Sequence, residues 1–391
     1  MNYLYISDFD DPSVGLGDYS MSFAKTLGSL AEIRELTLET RHFPGPYQPN
    51  TEYLPGEDKE LLVDNARKLA TRDQIHFEIC RNDGARWNLL CKFINDPLIV
   101  AQLNVTIHDP PEIIGQISAP WSETRIIPGQ WWRQYYRKVW RRSPFAHAIL
   151  QKSLQKIDRI YVLTQSGAES LCQCFNLKNT EVISIPHVQF NTKSEQGRDF
   201  KSLKSEYPVV GFMGAWWKHK GIEFAIEQLE ELAIEGEEFE FWISGISRNK
   251  KYRKKIDYLL AQLKHSLRVK KFGLLATSEF RKFSEACDLI IFPYRTGWKV
   301  QASGILMRAL EGGACVLTSD SPGPFDEAIQ DNAVASFRWE HPEEFKNKVR
   351  WLLHSRDQRL YFREKSNQFL SKRHANELVT SKINQALETS N

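Results

Sequence analysis

The chain has 391 residues, 41% of them hydrophobic and 26% charged, which is too long for one ordinary core and too apolar for a disordered protein. A formal charge of +3 is small for this length and excludes a polybasic nucleic-acid carrier, so basicity here is a local property. No window approaches about 18 uninterrupted apolar residues, so no transmembrane helix is expected.

The N-terminal "MNYLYISDFDD" carries acids where a signal peptide needs cations and a long apolar run. Any contact with a membrane is therefore expected from the cytoplasmic side, through the protein surface. The cysteines at 80, 91, 172, 174, 287 and 315 form no CxxC pair and no zinc spacing, the pattern of reduced thiols in a cytosolic protein.

Taken in chain order, short β-rich runs alternate with amphipathic helical ones. "YLYIS" reads as a strand and "GDYSMSFAKTLGSL" as the helix after it. "LIVAQLNVTIHD" and "DRIYVLT" read as buried strands, "QSGAESLCQCF" as a helix, and "EVISIPH" closes this half. The polar stretch 191–207 reads as a linker. The alternation restarts with "PVVGFMG", "EFEFWIS", "VKKFG", "DLIIFPY" and "ACVLTSD", each followed by a helical segment, and a last helix lies near 376–388. Two such runs predict an α/β protein of two doubly wound, parallel-sheet domains, residues 1–190 and 208–372, facing a cleft.

In such sheets ligands bind beyond the carboxyl ends of the strands, where helix N-termini present free N–H groups. Gly15 and Gly17 lie between the first strand and the first helix, where an anion or a sugar can approach the backbone, although a plain tight turn explains them equally. The third glycine of GxGxxG is missing, which argues against a dinucleotide. His108 and Asp109 end a strand before Pro110 and Pro111, as a structural or a catalytic pair. Lys218 and Lys220 precede Gly221 at a helix start, a phosphate clamp or else a solvated basic turn. Ser303 and Gly304 open the helix "ILMRALEGG", with Arg308 one turn in and Arg295 and Lys299 in the loop before. Two anion-competent turns in the second half suit a diphosphate. Gly273, after "VKKF", leaves room for a flat group.

These pieces, in this order, resemble a GT-B glycosyltransferase, most closely the retaining family four group, over nearly the whole chain. "GLGDYSMSFAKTL", "VTIHD", "GFMGAWWKHKGIEFAI", "VKKFGLLATSEFRKFSEACDLIIFPY" and "SGILMRALEGGACVLTSD" carry the resemblance. It implies two Rossmann-like domains, the first (1–190) holding the acceptor and the second (208–372) the donor, with residues 373–391 crossing back to the first. Gly15, Gly17, Lys218, Ser303, Gly304 and Ile305 would surround the donor diphosphate. Lys220 would neutralise it as it leaves, His108 would face the donor sugar, and Phe272, Gly273 and Arg308 would lie near the base and ribose. The family's arginine ahead of the lysine aligns with Ala215, so that Lys218 substitutes for it. The family's E-x7-E glutamates align with Val300 and Arg308, which opens a non-catalytic, GT-B-like binding protein as the alternative. No metal and no cofactor are expected beyond the co-substrate, a UDP- or GDP-linked sugar, and the implied role is polysaccharide or glycolipid assembly.

One stretch stands outside that scheme. On a helix, "PGQWWRQYYRKVWRRSPF" gathers Trp131, Trp132, Tyr135, Tyr136 and Trp140 on one face, and Arg133, Arg137, Lys138, Arg141 and Arg142 on the other. Beside an acceptor site this pattern fits an anionic membrane carrying a lipid-linked acceptor, on the inner face of the membrane. Aromatics packed into the domain under solvated arginines are the bland reading. Aromatics stacked on bases, in a nucleic-acid-base glycosyltransferase, are the third.

Overall fold

The computed structural model describes residues 1–7, 16–40, 51–55, 59–79, 84–108, 144–190, 197–247, 249–263, 267–295, 302–321 and 323–388. Among the described residues, thirteen strands build two sheets. The first contains β1 (Asn2–Ile6), β2 (Glu35–Thr40), β3 (Thr51–Pro55), β4 (Gln74–Ile79), β5 (Gln102–Ile107), β6 (Arg159–Val162) and β7 (Glu181–Ser184), in the order β3-β2-β1-β4-β5-β6-β7. The second contains β8 (Val209–Phe212), β9 (Glu240–Ser244), β10 (Arg268–Gly273), β11 (Leu289–Phe292), β12 (Val316–Ser319) and β13 (Ala335–Phe337), in the order β10-β9-β8-β11-β12-β13. All pairs are parallel.

The described helices of the first half are α1 (Leu16–Gly28), α2 (Lys59–Arg67), α3 (Gly84–Asn95), α4 (Pro144–Leu154) and α5 (Gln165–Cys174). Those of the second are α6 (Ile222–Ile234), α7 (Lys250–Gln262), α8 (Glu279–Ala286), α9 (Gly304–Glu311), α10 (Asp326–Gln330), α11 (Pro342–His354), α12 (Arg356–Arg373) and α13 (Asn376–Glu388). None of them is long and apolar enough to cross a membrane.

Period-two alternation sorts each strand between layers. In β1, Leu4 and Ile6 face an outer core with α2, α3, α4 and α5, while Tyr3 and Tyr5 face inward. The inner cluster is continuous across both sheets: Tyr19 and Phe23 of α1, Met213 and Trp242 of the second sheet, Leu306 and Leu310 of α9, and Val379 and Ile383 of α13 all belong to it. A third cluster lies between the second sheet and α6, α7 and α11. The C-terminal helix α13 packs on α1, and its Lys382 Nζ donates to the Ser184 carbonyl at 3.2 Å.

The expected strands lie where the alternation places them, with "LIVAQLNVTIHD" shorter than read: its strand is Gln102–Ile107. The stretch read as linker is partly core. Phe200 is fully buried against Trp242, Phe272 and Phe283, and Arg198 pairs with Glu279 at 2.7 Å, so 197–207 are fastened to the second sheet. Strands β2, β3, β4 and β13 were not expected from sequence. In β4, "QIHFEI", polar and apolar residues alternate, and all six are buried.

Candidate active site

Both sheets reverse strand order beside their first strand, between β1 and β4 and between β8 and β11, and such crevices are where open α/β sheets bind ligands.

In the second sheet the crevice is lined by backbone. Gly214 (φ 110°) and Gly245 (φ 101°), just beyond β8 and β9, approach so closely that a Cβ on Gly245 would stand 1.9 Å from the Gly214 carbonyl oxygen. The Lys218–Lys220 turn ends at Gly221 (φ 69°), where a Cβ would stand 1.8 Å from the Pro293 carbonyl oxygen. The Arg295 N–H donates to the His219 carbonyl at 2.8 Å, which docks this turn on the exit of β11. Lys220 Nζ consequently donates to the Tyr294 hydroxyl and lies 4.1 Å from the centroid of that ring. The same hydroxyl is 3.4 Å from Ser303 Oγ. Ser303 caps α9 by accepting the Leu306 N–H at 3.3 Å, and the Gly304 and Ile305 N–H groups fall outside the intrahelical ladder. An ammonium and a helix N-terminus thus share one place, as an anion requires.

In the first sheet the crevice is lined by side chains. His108 follows β5, and its Nε2 lies 2.5 Å from Oε2 of the fully buried Glu78. Tyr19 of α1 meets the His108 ring edge-on at 4.9 Å and the His187 ring at 5.0 Å. The His187 Nδ1–H donates to the Val188 carbonyl at 2.9 Å, and burial pushes its pKa down to about 3, so the imidazole is neutral.

His187 joins the halves. Its Nε2 lies 3.2 Å from where a Gly304 Cβ would be, a tight contact, so glycine at the start of α9 lets the first domain approach without displacing the imidazole by the few tenths of an ångström that a side chain there would demand. The same helix holds the strap after β7 at its other end. Glu311 accepts the Phe190 N–H at 2.9 Å, and the Arg308 guanidinium lies 4.0 Å from the Phe190 ring and 4.5 Å from Phe280. Burial raises the Glu311 pKa to about 7, against the Phe190 hydrogen bond and the charges of Arg308 and Arg281.

One run of contacts, His108–Tyr19–His187–Gly304, with Ser303–Tyr294–Lys220 beside it, therefore unites residues singled out from both halves. Ile305 sits at its edge, 3.3 Å from a would-be Gly214 Cβ. Gly17 is buried in the first turn of α1, and Lys218 is exposed at the mouth of its turn. Gly273 has open space on its Cβ side, but the Phe272 ring packs onto Phe200, Trp242 and Phe283, a core position rather than a stacking platform. Arg308 is 5% exposed, buried between rings at the domain strap rather than open to a ribose. Gly15 and the stretch from Trp131, Trp132, Arg133, Tyr135, Tyr136 and Arg137 to Trp140 and Arg141 lie outside the described residues. Sequence reasoning missed Glu78, His187, Tyr294, Gly214 and Gly245. The glycines carried a signal in "GFMGA" and "ISGIS", each closing a strand.

Two doubly wound sheets meeting at paired crevices make up the GT-B fold. Residues 194–369, the second sheet with its helices, match the glycosyl transferases group 1 family. No curated protein sequence matches the chain. Among solved structures, the fold is similar to HepE of Anabaena in complex with UDP and glucose, at TM-score 0.72 and 13% identity over 100% of both chains. It is similar to sucrose-phosphate synthase of Thermosynechococcus elongatus at 0.71 and 14%, covering 100% of this chain and 98% of that one. It is also similar to WaaG, a glycosyltransferase involved in lipopolysaccharide biosynthesis, at 0.64 and 14%, covering 99% of each.

Proposed function

We propose that this protein is a retaining, metal-independent glycosyltransferase that moves a sugar from a UDP- or GDP-linked donor to a glycan or lipid-linked acceptor, in polysaccharide or glycolipid assembly. The observation that carries this reading is Lys220 Nζ held by Tyr294 beside the Ser303-capped start of α9, on the crevice that the His108 wall adjoins. A nucleoside diphosphate gains negative charge as its bond to the sugar breaks. Fixed N–H dipoles and an ammonium already in place favour that state over the bound donor, which lowers the barrier. Gly273, with open space on its Cβ side, leaves the neighbouring edge clear for the nucleoside. The complex of HepE with UDP and glucose supports a uridine donor, and the role of WaaG supports an envelope acceptor.

Incubation with a panel of UDP- and GDP-sugars, read as nucleoside diphosphate released and as a Tm rise with UDP or GDP, is the test. One donor should be consumed, and a nucleotide at ~100 times its Kd should add about 2.7 kcal/mol to stability. Neither release nor stabilisation across the panel sinks the reading. A cytoplasmic enzyme peripheral to an anionic membrane through residues 128–145 would float with anionic but not neutral vesicles, and Arg137→Glu/Arg141→Glu would abolish that flotation.

A further inference from the structure

Behind His108 lies a buried polar layer that the diphosphate chemistry does not use. Alternation along β4 puts Gln74, His76 and Glu78 on the inner face, and β5 contributes Asn104 and Thr106 beside them. Glu78 Oε2 lies 2.5 Å from His108 Nε2, and Oε1 accepts the Tyr5 hydroxyl at 2.7 Å. His76 Nε2 is 3.5 Å from Oε1, but both its ring nitrogens are engaged at 2.7 Å, Nδ1 with the Tyr3 hydroxyl and Nε2 with Thr106 Oγ1. Burial pushes His76 down to about 4, so it is neutral at physiological pH. Burial raises Glu78, yet its hydrogen bonds from His108 and Tyr5 and its attraction to the two imidazoles outweigh it and hold the carboxyl below its usual range. Tyr3, Tyr5, Tyr19 and Tyr161, which also face this wall, are raised above their ordinary value by burial and stay neutral. Among the described residues His108 Nδ1 has no hydrogen-bond partner, and the side chain is 13% exposed.

We propose that Glu78 is the positioning residue for His108: by accepting the Nε2–H hydrogen bond it fixes the imidazole tautomer, leaving Nδ1 to accept a hydrogen bond from a hydroxyl of the bound sugar. A carboxylate only accepts, so Nε2 carries the proton between them, and in the neutral imidazole Nδ1 is then the acceptor. The edge-on Tyr19 ring fixes the imidazole plane. The inference rests on the transferase reading and assigns one polarity within it. Glu78→Gln tests it, because an amide donates as well as accepts: its NH2 pairs with a bare Nε2, moves the proton to Nδ1 and turns an acceptor into a donor.

The experiment pairs ¹⁵N spectra of the histidine rings with steady-state kinetics, on the full-length protein. Wild-type His108 should be the Nε2–H tautomer and Glu78→Gln should shift it to Nδ1–H. In the same variant kcat should fall about 10- to 100-fold, the range for partners that orient a functional histidine, with KM for the nucleotide sugar unchanged. Glu78→Asp should keep the wild-type tautomer and most of kcat, and in a His108→Ala background Glu78→Gln should cost nothing further. An Nδ1–H tautomer in the wild type overturns the proposal without any variant, including one that fails to fold. A tautomer shift with kcat intact, or a kcat loss that persists without His108, overturns it as well. Absence of turnover in the wild type with every nucleotide sugar defeats the transferase reading and the sugar contact with it, and the spectra alone then decide the Glu78–His108 bond.

Discussion

The two walls of the crevice present polar groups by opposite means. On the first sheet the groups are side chains: a histidine at the rim is held by a buried carboxylate, behind which lie buried tyrosines and a second histidine. On the second sheet they are backbone amides at a helix start, bared by glycines and reinforced by one lysine. The first device is built from ionisable side chains. The second keeps its dipoles at any pH, which suits a site for a permanently charged diphosphate.

The largest expected effect breaks the second wall at the side-chain charge that hydrogen-bonds Tyr294. Lys220→Ala should cut kcat by about 10²–10³-fold, the scale for removing one preorganised donor, with an unchanged melting profile. Unchanged turnover would leave the backbone amides as the whole of the anion site. Next comes the turn that aims that lysine. Gly221→Ala places a Cβ against the Pro293 carbonyl at φ 69° and should lower stability by roughly 2 kcal/mol or more, read as a drop in urea midpoint. Gly273→Ala shares the positive φ but meets nothing within 4 Å, so it should cost less than Gly221→Ala. An equal cost would show that backbone strain alone, not the close approach, fixes the glycine.

The smallest effect, and the sharpest contrast, is the sign of the pH dependence. The His76 pKa is lowered to about 4, so the unfolded chain binds the extra proton below about 6.5, and this stabilisation is lost as pH falls toward 4. Glu311 is the reverse. Its folded pKa of about 7 lies above the unfolded 4.5, so its contribution is complete below 4.5 and is lost as pH rises through 7. Relative to Glu311→Gln, the wild-type Tm should fall between pH 5 and pH 8. A constant difference over that range would place the Glu311 carboxyl in ordinary solvent.

Much of the architecture was legible because it is written in local periodicity. Alternating strand and helix patterns, the Ser303 cap and the glycine before α6 depend on neighbours a few residues away, and they lie where the spacing puts them. The alternation in β4 marks a strand but not its burial: Gln, His and Glu on one face are the pattern of a half-exposed strand, and only the packing of α1 and α13 over that sheet encloses the face.

By itself the sequence determined two α/β halves, their order, and the strand-end turns at which anions are met. It also supplied each functional residue type. Only the tertiary structure decided the partnerships: Glu78 with His108 across 30 positions, Tyr294 with Lys220 across 74, and His187 against Gly304 from the other half. The reason is geometric. Parallel strands bring residues distant in sequence to one sheet edge, and which side chains then touch depends on strand order and domain approach, which no local spacing encodes.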